Sequence, residues 1–114
     1  MLTKNSIRKS EGTWTLRAGG AVLAETHNAL EVAEHNRPTQ IYFPQENIAI
    51  AFLEPSDHTS LSNDKGTAHY VSIITKSMTL ENVGWGYAGP SEAVAGLKDQ
   101  LEFYTSDEVT VEQI

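Results

Sequence analysis

Cysteine is absent from the sequence. Its absence excludes a disulfide framework, a thiolate nucleophile and a thiolate metal site. Positive charge is scarce, because eight Lys and Arg face fifteen Asp and Glu for a formal charge of -7. That balance opposes the phosphate neutralisation on which non-specific DNA and RNA binding depends, so duplex nucleic acid is not an expected partner. Long hydrophobic runs are missing too. The apolar run Ile48 to Leu53 falls far short of the roughly 20 residues of a membrane-crossing helix. The N-terminal MLTKNSIRKSEGTW carries charge without the apolar stretch of about seven residues that an export signal needs, so a cytoplasmic protein with no membrane contact is expected. Of the four histidines, His27, His35, His58 and His69, no pair has the His-x-x-x-His spacing of a helical metal site, and no metal is expected.

What remains is ordinary for a folded domain: 114 residues, 39% hydrophobic and 20% charged. A chain of this size buries roughly two-thirds of the surface it exposes when unfolded, enough for one core. No repeat and no linker-like stretch divides it, so residues 1–114 read as a single domain, with 1–12 as a polar leader. Trp14, Leu16 and Ala18 alternate with polar residues before Gly19-Gly20 and the apolar Ala21 to Ala24, which reads as a hairpin with a Gly-Gly turn. Residues 28–34 carry both a helical composition and a strand alternation, and are read here as strand. Arg37-Pro38 breaks that segment, Thr39 to Phe43 is β-rich, Pro44 to Asn47 makes a turn, and Ile48 to Leu53 reads as a further strand.

The polar stretch from Glu54 to Gly66 is dense in turn formers and is expected to be the longest loop. His69 to Thr75 is apolar on both faces, as a central strand would be. A short helix is expected after Pro90 from Val94, Leu97 and Leu101, with Gly96 limiting its length. Leu101 to Tyr104 and Val109 to Val111 flank a Ser106-Asp107 turn and read as a final hairpin. The expected fold is mainly β, about eight short strands and one short helix.

Gly84-Trp85-Gly86-Tyr87-Ala88-Gly89 satisfies G-x-G-x-x-G. A dinucleotide site needs a buried strand leading into the first glycine, and Met78 to Asn82 is mostly polar, so a glycine-relieved aromatic strand with Trp85 and Tyr87 on one face is the better reading. Lys65-Gly66-Thr67 lacks the upstream glycine of a phosphate loop. Asp57 and His58 are the residue types of an oriented general base, but neighbours on extended chain point to opposite faces, and a turn role for Asp57 with an exposed His58 is simpler. Lys65 and Glu54 attract interest because they flank the polar stretch next to apolar strands, where a charge is held more rigidly than at a loop tip.

Tyr42-Phe43-Pro44, Leu53 to Thr59, Lys65 to Ala68 with Tyr70, Trp85-Gly86-Tyr87 with Pro90, and Phe103-Tyr104 occur in an order that resembles the family catalogued as domain of unknown function 427, from Gly20 to Tyr104. The resemblance implies a compact β-tent-like domain. It carries no settled activity, although some catalogues label the family nucleotidyltransferase. Family members often have His-Cys-Pro and an aromatic before Lys-Gly where this chain has Leu61 to Asp64, and a proline where it has Ala88. Two functions are therefore open, with a nucleotidyltransferase, as the family label suggests, as a further alternative. One is a small-molecule pocket, with Lys65 for an anionic group, Glu54 as a base and Tyr70, Trp85 and Tyr87 as an aromatic wall; Lys65 and Glu54 are also the candidates for any catalysis. The other is a non-catalytic interaction or homodimerisation module working through exposed strand edges. Glu54 and Lys65 could equally form one structural ion pair. No cofactor is indicated by these residues.

Overall fold

A computed structural model of the chain describes residues 6–33, 38–62, 65–90 and 92–114. His35, Arg37, Asn63 and Asp64, all singled out above, lie outside these. Among the described residues ten antiparallel strands form two sheets. They are β1 (Ser6–Lys9), β2 (Trp14–Ala18), β3 (Ala21–Thr26), β4 (Leu30–Ala33), β5 (Gln40–Pro44), β6 (Leu53–Ser62), β7 (Gly66–Ile74), β8 (Thr79–Gly86), β9 (Gln100–Phe103) and β10 (Val109–Gln113). The larger sheet has the order β1-β4-β5-β9-β8-β7-β6, and the smaller β10-β2-β3. Among the described residues no helix is long and apolar enough to cross a membrane.

The Gly-Gly hairpin forms as expected: Gly19 and Gly20 take φ of 56° and 83°, the left-handed pair that a tight turn with the twist of its flanking strands requires. Residues Leu30–Ala33 are strand, because β4 is claimed by pairing on both sides, with β1 and with β5. Once both ladders are available, helical composition has little weight against them.

Six expectations need correction. The leader holds a strand, β1, which pairs Ile7 with Val32 and closes one edge of the large sheet. The Ile48 to Leu53 strand does not form. Ile48 is buried by an isolated bridge to Ala24, Ile50–Phe52 is a 3-10 turn closed by Phe52 N–H donating to the Ala49 carbonyl, and β6 starts only at Leu53. The stretch read as the longest loop is mostly the ten-residue β6, whose polar residues face solvent at the sheet edge; composition does not distinguish a loop from an edge strand that buries neither face. Asp57 accordingly lies in β6, not in a turn.

The helix after Pro90 is replaced by 3-10 turns over Glu92–Leu97, broken at Val94 (φ -128°, ψ 32°). Val94 and Leu97 are both fully buried, and their spacing of three suits a 3-10 turn, while Leu101 already belongs to β9. Finally, β9 and β10 do not pair. β9 lies between β5 and β8 in the large sheet, whereas β10 crosses to the small sheet and pairs Val109 with Ala18 and Gln113 with Trp14.

The main core lies between the sheets and gathers Leu16, Leu23, Phe43, Ile48, Ile73, Leu101, Phe103 and Val109. Phe43 and Phe103 meet edge to face with centroids 6.5 Å apart, an arrangement worth about 0.5–1.5 kcal/mol beyond its area. A second cluster forms on Val32, Tyr42, Ala68, Tyr87, Val94 and Leu97, with Tyr70 and Trp85 packed against it.

Candidate functional site

The aromatic strand is β8, and its glycines have a local cause. A Cβ on Gly84 would stand 2.5 Å from the Phe103 ring, and one on Gly86 2.6 Å from Leu101 and 2.7 Å from the Gln100 carbonyl oxygen. Side chains of β9 fill the space that β8 leaves empty. Both glycines are therefore strand residues under packing, not a phosphate-binding turn.

Trp85 lies between them on the opposite face and pairs directly with Tyr70 of β7 and Glu102 of β9. Directly paired residues share a face of the sheet, so these three side chains form one row. The Tyr70 and Trp85 rings are 5.9 Å apart, and Tyr104, just past β9, brings its ring to 4.5 Å from Trp85. At the other end of the row His58 stacks edge-on to Tyr70 at 4.5 Å. It reaches there through a bulge that sets Ser56, Asp57 and His58 against Tyr70 alone, while Ser60 shares a 3.0 Å hydrogen bond with the Tyr70 hydroxyl. Burial first, then the Tyr70 hydroxyl and phenol and the Glu102 carboxylate, push the Tyr104 phenol above its ordinary pKa.

This row lines a cavity of about 760 Å³, within the size range of small-molecule sites. Lys65, Tyr87 and Gln40 also line it, and the small sheet contributes Trp14 and Val111. Lys65 is only 4% exposed. It lies at the turn from β6 to β7, where its backbone N–H donates to Ser62 Oγ at 3.1 Å. Lys65 and Glu102 both have partners within the fold, and they are the cation and the anion among the described lining residues.

Of the five residues singled out from the sequence, Lys65, Tyr70, Trp85 and Tyr87 line the cavity together, and Glu54 does not. Glu54 is exposed at the start of β6 and pairs with Ser72, seven residues along β7 from Lys65, or about 23 Å at the rise of a strand. Pairing β6 with β7 sends the two charges to opposite ends of a hairpin, so no Glu54–Lys65 ion pair exists. Glu102 occupies the place expected for that acid. The alternation of buried Leu101 and Phe103 around it was the available signal, but nothing local says that β9 would lie beside Trp85. Trp14 was likewise missed, being far from the others in sequence and carried by the other sheet.

Among the described residues no group of three or more His, Asp or Glu side chains is placed to hold a metal ion. Comparison with curated proteins finds no match. The family model described as domain of unknown function DUF427 matches residues 6–113, well beyond the span of the residues that suggested it. The chain belongs to that family.

Proposed function

We propose that the cavity binds a small planar molecule bearing an anionic group. One observation carries this reading: a lysine that is 4% exposed lines the same cavity as the rings of Tyr70, Trp85 and Tyr104. Lysine is almost never this buried unless it is paired, and an ammonium that has a partner within the fold still has three N–H donors to share with a ligand. An ammonium in a desolvated setting forms charge-assisted hydrogen bonds about twice as strong as neutral ones, and aromatic faces supply stacking area for a flat ligand. Glu102, on the same row, is positioned to accept from a ligand N–H or O–H.

The sequence's two tryptophans both line the cavity, so their indole N–H resonances report occupancy. Titration with naphthalene-2-carboxylate and its neutral carboxamide, and with adenosine 5'-monophosphate and adenosine, separates stacking from charge. The anionic member of at least one pair should bind about tenfold or more tightly than its neutral partner, and Lys65→Met should abolish that difference. Unmoved indole resonances with every probe would refute the reading. So would discrimination that survives in Lys65→Met.

A second reading, an interaction module acting through a strand edge, draws on β6. It ends the large sheet, and Leu61 on it is 78% exposed. Pro55 and the bulge blunt the first half of that edge, which leaves Thr59–Ser62 as the segment able to accept another strand. Sedimentation of the wild type beside Leu61→Lys tests it, since only an edge-mediated oligomer would dissociate.

A further inference from the structure

Trp14 enters the cavity from the small sheet, and its indole hydrogen bond goes outside that sheet. Its indole Nε1–H donates to Ser10 Oγ at 2.8 Å, Ser10 Oγ donates to Glu31 Oε2 at 2.8 Å, and Arg8 Nε donates to Glu31 Oε1 at 2.9 Å. We propose that Glu31 is a positioning residue of the cavity, which through the Ser10 hydroxyl holds the Trp14 indole as the wall contributed by the small sheet. The proposal rests on the cavity being a ligand site.

The direction of the relay follows from donor chemistry. An indole nitrogen only donates, so Ser10 must accept from it, and the single hydroxyl proton has to go elsewhere. Glu31 takes it at 2.8 Å, against 3.5 Å to the Glu11 carbonyl. Ser10 has no freedom to do otherwise: it is 1% exposed, and its backbone N–H is tied to the Ala29 carbonyl at 2.8 Å. Arg8 and Glu31 are direct partners across β1 and β4, so the sheet register delivers the guanidinium to the second carboxylate oxygen. Ser10, and behind it Arg8, holds the Glu31 carboxyl below its ordinary pKa. It therefore stays an ionised acceptor, which strengthens the bond that orients Ser10. Arg8 and Glu31 belong to the first two strands of the large sheet and Ser10 follows β1, yet the ring they fix belongs to β2. The relay thus sets how the two sheets share the cavity.

The test uses the indole resonances together with naphthalene-2-carboxylate. Ser10→Ala should shift the Trp14 indole proton upfield and speed its exchange with solvent while leaving that of Trp85 in place, and should weaken the probe about tenfold. Glu31→Gln keeps an acceptor but loses its charge, and should move both readouts the same way by about a third of that factor. Ile48→Val, a core change remote from the relay, should lower stability and move neither. A Trp14 resonance unchanged in both Ser10→Ala and Glu31→Gln would overturn the relay, and a shifted resonance with unchanged affinity would overturn its role in the cavity. Should Ser10→Ala fail to fold, Glu31→Gln decides by the same criteria. If no probe binds the wild type, the ligand reading falls and the positioning role falls with it, whereas the Trp14 resonance still decides whether the relay exists.

Discussion

The main core and the second cluster lie against the same large sheet but are built from different residue types. Leu16, Leu23, Ile48, Ile73 and Val109 dominate the first, with Phe43 and Phe103 as its rings. The second sets Tyr42 and Tyr87 among Val32, Val94 and Leu97 and leaves Tyr70 and Trp85 only half covered. Aliphatic side chains interdigitate and exclude everything else, which stabilises and offers no chemistry. Rings covered on one face keep the other open, and the buried Lys65 lines the same cavity. Substitutions should therefore divide, with the first region governing stability and the second governing binding.

The largest expected effect is in the main core. Phe43→Ala should cost about 3–5 kcal/mol, a large share of the stability of any small domain, read from the denaturant midpoint. Trp85→Phe should lower stability by less than about 1.5 kcal/mol, as a change of ring that keeps most of the packing, while weakening probe binding. Equal losses from the two would break the division. Gly86→Ala comes next, at about 1–3 kcal/mol of overpacking, since one of its close contacts is the backbone carbonyl of Gln100, which cannot swing aside.

Lys65→Met sharpens the comparison. Lys65 is buried and has a partner within the fold, so its loss should lower stability, by up to about 3–5 kcal/mol if a buried charge is stranded. As a ligand group it should also remove the advantage of the anionic probe, which the loss of a purely structural ion would leave in place. The turn into β7 buries Lys65, so the denaturant midpoint has to be read beside probe binding.

The smallest effect concerns acid. Glu31 has a folded pKa below its unfolded value, so the stability it contributes is present above the ordinary carboxylate range and is lost as pH falls through the lowered folded value. Ser10→Ala should flatten that acid dependence more than Arg8→Ala, because the serine bond is the larger cause. Equal flattening would make the surface ion pair the controlling contact.

Local sequence was informative where short-range geometry dominates. Gly19-Gly20 marks a turn because positive φ is nearly free for glycine, and Gly84 and Gly86 around Trp85 mark a strand that another element crowds. It misled where a pattern had two solutions. Residues 54–62 are polar enough for a loop and are an edge strand. The Ser106-Asp107 turn is real in composition, yet Ser106 Oγ accepts from Glu108 N–H and Val109 N–H to redirect the chain away from β9.

The residues by themselves determined a mainly β chain without thiol chemistry, an aromatic strand relieved by glycines, and Lys65, Tyr70, Trp85 and Tyr87 as residues of interest. Strand propensity, turn geometry and composition are local properties, and they survive without knowledge of the partner. Only the tertiary structure decided that Glu102 rather than Glu54 shares the cavity with Lys65, that β10 leaves β9 for β2, and that Trp14 closes the cavity from the second sheet. These depend on which strands pair and in what register. A period of two fits either face of a strand equally well, so the choice is made by burial between segments far apart in the chain.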